Sequence, residues 1–186
     1  MNTLREKFHV YFHSSRKQDR RIELFEYIWA EYGRRISFYI ANIIPVGHPA
    51  FEDVFQEVML KIYRNLPGFN PLKSFKAWIY IITRNHCLDF VNNREERMFA
   101  GKAWPGGDPP GGDDPERRVM AGEAMDRIDA CLSDLDALDR QIAFLRFYEE
   151  LSYREIALIV GMNPGTLRAR IHHIKKNLAH SLRGFL

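Results

Sequence analysis

The feature that most constrains the fold lies in the C-terminal part of the chain, where signals for two helices and a tight turn follow one another. Ser152 and Glu155 have the spacing of a capping box, in which each side chain satisfies a backbone N–H group at the start of a helix. Gly161 predicts the end of that helix. Asn163 can cap a second helix whose first residue is Pro164, because a missing N–H group costs nothing at that position. A helix-turn-helix is therefore predicted.

The second of these helices is predicted to be apolar on one side and basic on the other. The apolar side repeats at helical spacing through Leu167, Ile171, Ile174 and Leu178. The opposite side carries Ala169, His172, His173 and Lys176, flanked by Arg168, Arg170 and Lys175. No acidic residue occurs in residues 166–186, whereas residues 121–165 contain nine acids and four bases. Such a helix suits a DNA groove, and a solvated basic face that never contacts nucleic acid is the simpler alternative.

The N-terminal half is predicted to form a bundle of three helices. Apolar residues at helical spacing cover residues 21–44 and 50–66, and the breakers Pro45 and Pro67 follow these segments. Ser74 can cap a third helix that runs to about residue 97. Each helix has an apolar stripe, so the three are expected to pack on one another.

Two polar patterns in this half are candidates for binding. The first comprises Glu52, Asp53, Gln56 and Glu57 at the start of the second helix, where the helix dipole alone could account for the carboxylates. The second interleaves Lys73, Lys76, Arg84, Arg94 and Arg97 with Phe69, Phe75, Trp78, Tyr80 and Asn85. Single-stranded DNA is bound in this way, by charge for the phosphates and rings for stacking. The rings could equally belong to the core of the bundle.

The helical spacing in both halves, together with the composition, favours an all-α fold of two small domains. The chain has 186 residues, 46% of them hydrophobic, which is enough for one or two small cores. Residues 99–120 are rich in Gly, Pro and Asp and predict a flexible linker that could span roughly 70 Å when extended. We therefore expect an N-terminal extension at 1–20, a helical domain at 21–98 and a helix-turn-helix domain at 121–186.

Several classes of protein are disfavoured. Cys87 and Cys131 fall in different domains without metal-ligand spacing, which favours a reduced, cytoplasmic protein. We find neither a signal peptide nor a run of apolar residues long enough for a membrane span, so no membrane insertion is expected. His9 and His13 have metal-compatible spacing but no third ligand near them, so no metal and no cofactor are predicted. The motifs of an enzyme, such as a phosphate-binding glycine loop or a nucleophile elbow, are also missing, and no catalytic residue is assigned.

Two segments resemble known regions of a bacterial protein family. Residues 51–91 carry an acidic pair, Glu52-Asp53, then Gln56-Glu57, Ala77-Trp78 and Arg84-Asn85. This pattern closely resembles region 2 of bacterial sigma factors of the extracytoplasmic-function type. Residues 135–179 resemble region 4 of the same family, and the order of the segments and the linker between them also match.

The resemblance implies a sigma factor that binds core RNA polymerase and directs promoter recognition and opening. It places polymerase binding on Asp53, Gln56 and Glu57. It places minus-ten recognition on Phe69, Lys73, Ser74, Phe75, Trp78, Arg84 and Asn85, with Phe69 and Asn85 at the pocket for a flipped base. It places minus-thirty-five recognition on Thr166, Arg168, Ala169, Arg170, His172, His173, Lys175 and Lys176. Promoter DNA and an anti-sigma factor are further expected partners.

The sequence departs from the family at two positions of the recognition helix and leaves another function open. Ala169 stands where the family often has Ser, and His173 where Arg is frequent, so the preferred upstream sequence cannot be copied from relatives. The alternative function is that of a helix-turn-helix regulator that binds duplex DNA without acting as a polymerase subunit. That alternative leaves the region 2 pattern unexplained. Phe69 also has a purely structural alternative, as a core residue.

Overall fold

The computed structural model describes residue 11, residues 17–92 and residues 135–183, and its regular structure is helical throughout these ranges. The first domain contains α1 (Lys17–Ala41), α2 (Phe51–Asn65) and α3 (Phe75–Asn92), with a 3-10 turn at Leu66–Gly68. The predicted bundle of three helices is thus confirmed. None of the described helices combines the length and the apolar character needed to cross a membrane.

The ends of these helices follow local backbone signals. α1 ends at Ala41, three residues before the predicted end, because the N–H groups of Asn42 and Ile43 turn back to carbonyl groups three residues earlier. The prediction that Ser74 caps the third helix is confirmed, since its Oγ accepts a hydrogen bond from the N–H group of Ala77 at 3.3 Å.

The first domain is held together by apolar side chains that all three helices contribute. Ile28 and Ile36 of α1, Val58 and Ile62 of α2, and Ile79 of α3 are fully buried. Burial of a side chain of this size stabilises the fold by about 1.5–3 kcal/mol. The faces of the three helices that do not enter this core are therefore held in place by it.

The first helix of the second domain within the described residues is short and was not delimited from the sequence: α4 (Ala137–Ala143). Asp136 caps it, because its side chain accepts a hydrogen bond from the N–H group of Asp139 at 2.7 Å. A π-helical turn at Phe144–Tyr148 follows, and Glu150 then adopts a left-handed conformation with φ 58° as the chain turns toward the next helix.

The helix-turn-helix predicted from the sequence is confirmed as α5 (Tyr153–Val160) and α6 (Pro164–Arg183). Ser152 and Glu155 form the capping box. Gly161 ends α5 with φ 67°, in the left-handed region that glycine adopts without strain. The Oδ1 atom of Asn163 accepts a hydrogen bond from the N–H group of Gly165 at 2.8 Å at the start of α6.

The two domains pack against each other, most extensively where α5 lies on α3. The rings of Tyr39, Tyr80 and Phe144 meet at this boundary, with 5.0 Å between the centroids of Tyr39 and Tyr80. Several predictions fall outside the described residues: the linker at 99–120, most of the extension at 1–20, and residues His9, His13, Arg94, Arg97 and Cys131.

Candidate nucleic-acid and protein interfaces

The recognition helix α6 presents a polar face to solvent. Three residues of the predicted apolar stripe, Leu167, Ile171 and Ile174, are buried, and the fourth, Leu178, is half-buried. Seven of the eight residues assigned to minus-thirty-five recognition are exposed: Thr166, Arg168, Ala169, His172, His173, Lys175 and Lys176. Exposed basic side chains on one side of a packed helix can contact the phosphates and the nucleobase edges of a DNA duplex.

Arg170, the eighth residue of that set, points elsewhere. Its Nε atom binds the Oδ1 atom of Asp139, and its Nη2 atom binds the Oδ2 atom of Asp136. Hydrogen bonding to Asp139 is the largest of the effects that raise the pKa of Arg170. The guanidinium group is therefore occupied within the domain, whereas Arg168, two residues earlier, is exposed.

On α3, the residues assigned to minus-ten recognition divide between two directions. Ser74, Trp78 and Asn85 are separated by four and seven residues, so they share one side of the helix. Asn85 is exposed and Trp78 is half-buried, and Lys73 in the preceding loop is also exposed. Arg84 points toward the second domain, where its Nε atom donates to the Oε1 atom of Gln141 at 3.3 Å.

Phe69 and Phe75 lie beneath this surface rather than on it. Phe69 is 4% exposed, and its ring centroid lies 5.4 Å from that of Phe75 and 5.0 Å from that of Trp78. Phe75 also contacts Tyr32 of α1, with 5.5 Å between centroids. In this arrangement the ring of Phe69 supports the loop from inside, which favours the core alternative that the sequence left open.

The face of α2 that was assigned to polymerase binding is exposed. Asp53, Gln56 and Glu57 lie opposite the buried residues of the helix, and Asp53 lies in its first turn, where a carboxylate complements the helix dipole. The Oε2 atom of Glu57 lies 3.0 Å from Nε2 of the buried His86. Burial, together with the ammonium group of Lys61, lowers the pKa of His86 despite the opposing effect of Glu57, so the neutral imidazole is favoured.

A buried carboxylate joins the two domains. The side chain of Glu149 is fully buried, and its Oε2 atom lies 3.1 Å from Nζ of Lys76. Lys76 also donates to the backbone carbonyl group of Glu149 at 3.0 Å, and Nη1 of Arg35 lies 3.6 Å from the other carboxylate oxygen. Both cations keep about a third of their side chains exposed. A carboxylate buried at this depth requires such partners, so the cluster orients the π-helical turn on the first domain.

Gln141 makes a second polar connection between the domains. Its Oε1 atom accepts hydrogen bonds from Arg84 and from the hydroxyl group of Tyr39, the latter at 3.4 Å. Burial raises the pKa of Tyr39, which therefore stays protonated and able to donate. Ser74 meets the second domain as well, at Glu155. Partial burial raises the pKa of Glu155, but hydrogen bonds from Ser152 and Ser74 together outweigh it, so the pKa is lowered.

Sequence reasoning missed the residues that hold the domains together. Lys76 was noted only as part of a basic pattern, and Gln141, Glu149 and Arg35 were assigned no role. Their partners lie 73 residues away for Lys76 and Glu149 and 102 residues away for Tyr39 and Gln141. No local spacing signals such a contact.

Comparison with protein-family models gives two matches in the order of the chain. Residues 28–97 match sigma-70 region 2, and residues 125–178 match sigma-70 region 4. Together the matches cover about two thirds of the sequence, and they include every candidate interface described above.

Individual proteins similar to this chain are also described as sigma factors. The sequence is 32% identical over 132 residues to the ECF RNA polymerase sigma factor SigE of Mycolicibacterium smegmatis, which covers 68% of this chain and 49% of SigE. It is 26% identical over 140 residues to the ECF RNA polymerase sigma factor SigW of Bacillus subtilis, covering 71% of this chain and 75% of SigW. The chain thus spans about half the length of SigE and three quarters of SigW.

Two solved structures share the fold. One is the sigma factor RpoE of Bartonella quintana in complex with the anti-sigma factor NepR, with a TM-score of 0.62, 19% identity, and coverage of 86% of this chain and 96% of that one. The other is CnrH in complex with the cytosolic domain of CnrY, with a TM-score of 0.59, 19% identity and 97% coverage of both chains.

Proposed function

This chain belongs to the sigma-70 family, in its extracytoplasmic-function group, and we propose that it binds core RNA polymerase and directs it to promoters for the initiation of transcription. The observation that carries this proposal is the pairing of the two family regions in one chain, each with an exposed polar face on a packed helical support. A DNA-binding regulator needs the helix-turn-helix alone. Region 2 and its exposed carboxylates point to a polymerase subunit.

We assign polymerase docking to Asp53, Gln56 and Glu57 on α2. Their exposure leaves two carboxylates and an amide available to a partner. The Oε2 atom of Glu57 lies 3.0 Å from Nε2 of His86, and the carboxylate remains mostly exposed.

We assign minus-ten recognition to the surface formed by Lys73, Ser74, Trp78 and Asn85. It combines a cation for phosphate, an aromatic ring for stacking and an amide for a base edge. Phe69 and Phe75 would act beneath this surface by fixing the loop. Arg84 donates from Nε to Gln141, so the N–H groups of its two Nη atoms would serve any contact with DNA.

We assign minus-thirty-five recognition to the exposed side of α6. Arg168 offers a planar fork that suits guanine, whereas Lys175 and Lys176 offer point charges that suit phosphate. His172 and His173 each provide one donor and one acceptor when neutral, a pattern that differs from an Arg at the same position.

Two further features of the proposal concern partners and place of action. An anti-sigma factor is a proposed partner, since RpoE of the same fold is found with NepR. The chain would act in the cytoplasm, where core polymerase transcribes DNA. Binding and positioning suffice for this role, so the chain need supply no catalytic group of its own.

Reconstitution with core polymerase tests the proposal. The full chain is mixed with core polymerase and genomic DNA, and the transcripts are sequenced. We expect new transcripts whose upstream regions share two sequence elements. DNA binding in the absence of any effect on core polymerase would instead support the alternative, a regulator that binds duplex DNA by itself.

A further inference from the structure

Arg170 lies at the edge of the buried stripe of the recognition helix, three residues after Leu167 and four before Ile174. Its side chain is 30% exposed, whereas the side chain of Asp139 is only 10% exposed. The guanidinium group therefore reaches inward from α6 to α4. Its partners Asp139 and Asp136 lie 31 and 34 positions before Arg170 in the chain.

The two carboxylates that receive Arg170 are themselves fixed. Asp136 uses one oxygen to cap α4 and the other to bind Arg170. Asp139 lies in the first turn of α4 and is buried. Because the two N–H groups of Arg170 lie in one plane and meet two separate acceptors, the contact restricts rotation of α6 about its own axis as well as its distance from α4.

α4 is in turn held by the first domain. Gln141, two residues after Asp139, accepts hydrogen bonds from Tyr39 and Arg84. Arg170 thus connects the recognition helix to α4, and α4 is also hydrogen-bonded to the first domain through Gln141. The apolar stripe of α6 packs the helix on the domain, and Arg170 adds a polar contact between α6 and the start of α4.

We propose that Arg170 is a positioning residue that sets the orientation of the recognition helix by binding Asp136 and Asp139, and that it does not itself contact DNA. This role rests on the proposed function in promoter recognition. It separates Arg170 from Arg168, Lys175 and Lys176, which are exposed on the same helix.

The test uses the full chain assembled with core polymerase on a promoter found by transcript sequencing. The variants are Arg170→Gln, Asp139→Asn, the double variant and, as a matched control, Lys175→Gln on the exposed side. For each holoenzyme we measure the salt dependence of promoter binding, the preference for the natural over a substituted minus-thirty-five base pair, and the melting temperature. A phosphate contact contributes about 0.9 to the slope of log affinity against log salt.

A good contact to a base edge favours the correct base pair over a wrong one by about 5- to 150-fold. We expect Arg170→Gln and Asp139→Asn each to reduce this preference by about threefold or more while leaving the salt slope unchanged. The double variant should be no worse than Arg170→Gln alone, because Arg170→Gln already removes the contact with Asp139. Lys175→Gln should lower the slope by about one and keep the preference.

Other outcomes overturn the positioning role. If Arg170→Gln lowers the salt slope like the control and Asp139→Asn has no effect, Arg170 is a phosphate contact. If both variants lower the melting temperature but keep the full preference while folded, the ion pair serves stability alone.

Arg170→Lys keeps the test valid should Arg170→Gln fail to fold. Lysine retains the charge but not the planar fork, so positioning predicts a reduced preference and phosphate binding predicts wild-type behaviour. Absence of promoter-directed transcription by the wild-type chain would remove the proposed function itself, whereas an active wild type with the wrong pattern of variants removes only the role of Arg170.

Discussion

Replacement of Phe69 by alanine tests whether this ring acts in the fold or at a base pocket. Phe69 is 4% exposed and contacts Phe75 and Trp78, so its removal leaves a cavity among aromatic rings. A buried Phe→Ala change lowers the free energy of unfolding by about 3–5 kcal/mol. For a chain of this length each kcal/mol corresponds to about 2–4 °C, so the melting temperature should fall by about 6–20 °C.

The functional measurement compares Phe69→Ala on a duplex promoter and on a promoter mismatched across the minus-ten region. Pre-opened DNA avoids much of the unpairing cost, so it rescues a variant that lacks only a base pocket. A core role predicts equal impairment on both templates. Leu72 in the same loop is 93% exposed, and Leu72→Ala is the matched control, with a change in stability of about 0.5 kcal/mol or less. An unchanged melting temperature with recovery on pre-opened DNA would refute the core role and restore the base pocket.

Three further predictions concern the polymerase-binding residues, the recognition helix and the contact between the two domains. Reversal of Asp53 and Glu57 to Lys should weaken binding to core polymerase with unchanged helical content by circular dichroism; undiminished affinity would remove them from the interface. Arg168→Ala should lose about 1–3 kcal/mol of discrimination at particular base pairs, whereas Lys176→Ala should weaken all sequences alike, and matching specificity profiles would contradict this division. Glu149→Gln should lower the free energy of unfolding by about 1–3 kcal/mol, less than for a fully buried pair because its cationic partners are partly exposed. Small-angle scattering should then show a larger radius of gyration, and an unchanged radius and stability would argue against an interdomain role.

The helices and their ends were largely predictable because their signals are local. The capping box of Ser152 and Glu155, the left-handed Gly161 and the start of α6 at Pro164 all depend on residues within a few positions of one another. The apolar stripe of α6 follows from helical spacing alone. The short helix α4 was not delimited from sequence, since its seven residues are too few for a clear apolar period.

The direction of individual polar side chains was not predictable in the same way. Arg168 and Arg170 have the same chemistry and lie two residues apart, yet one is exposed and the other is bound by two carboxylates. Helical spacing places Arg170 at the edge of the buried stripe. Whether it reaches solvent or turns inward depends on Asp136 and Asp139, which lie at the start of α4.

The sequence by itself determined the helical class of the fold, the helix-turn-helix and the family to which the chain belongs, because each rests on short-range spacing or on motifs read along the chain. Only the tertiary structure decided that Phe69 is buried, that Glu149 joins the two domains and that Arg170 turns inward. These properties arise when segments far apart in sequence exclude water from one another. Burial and ion pairing then depend on the partner segment, and local residue patterns carry no record of it.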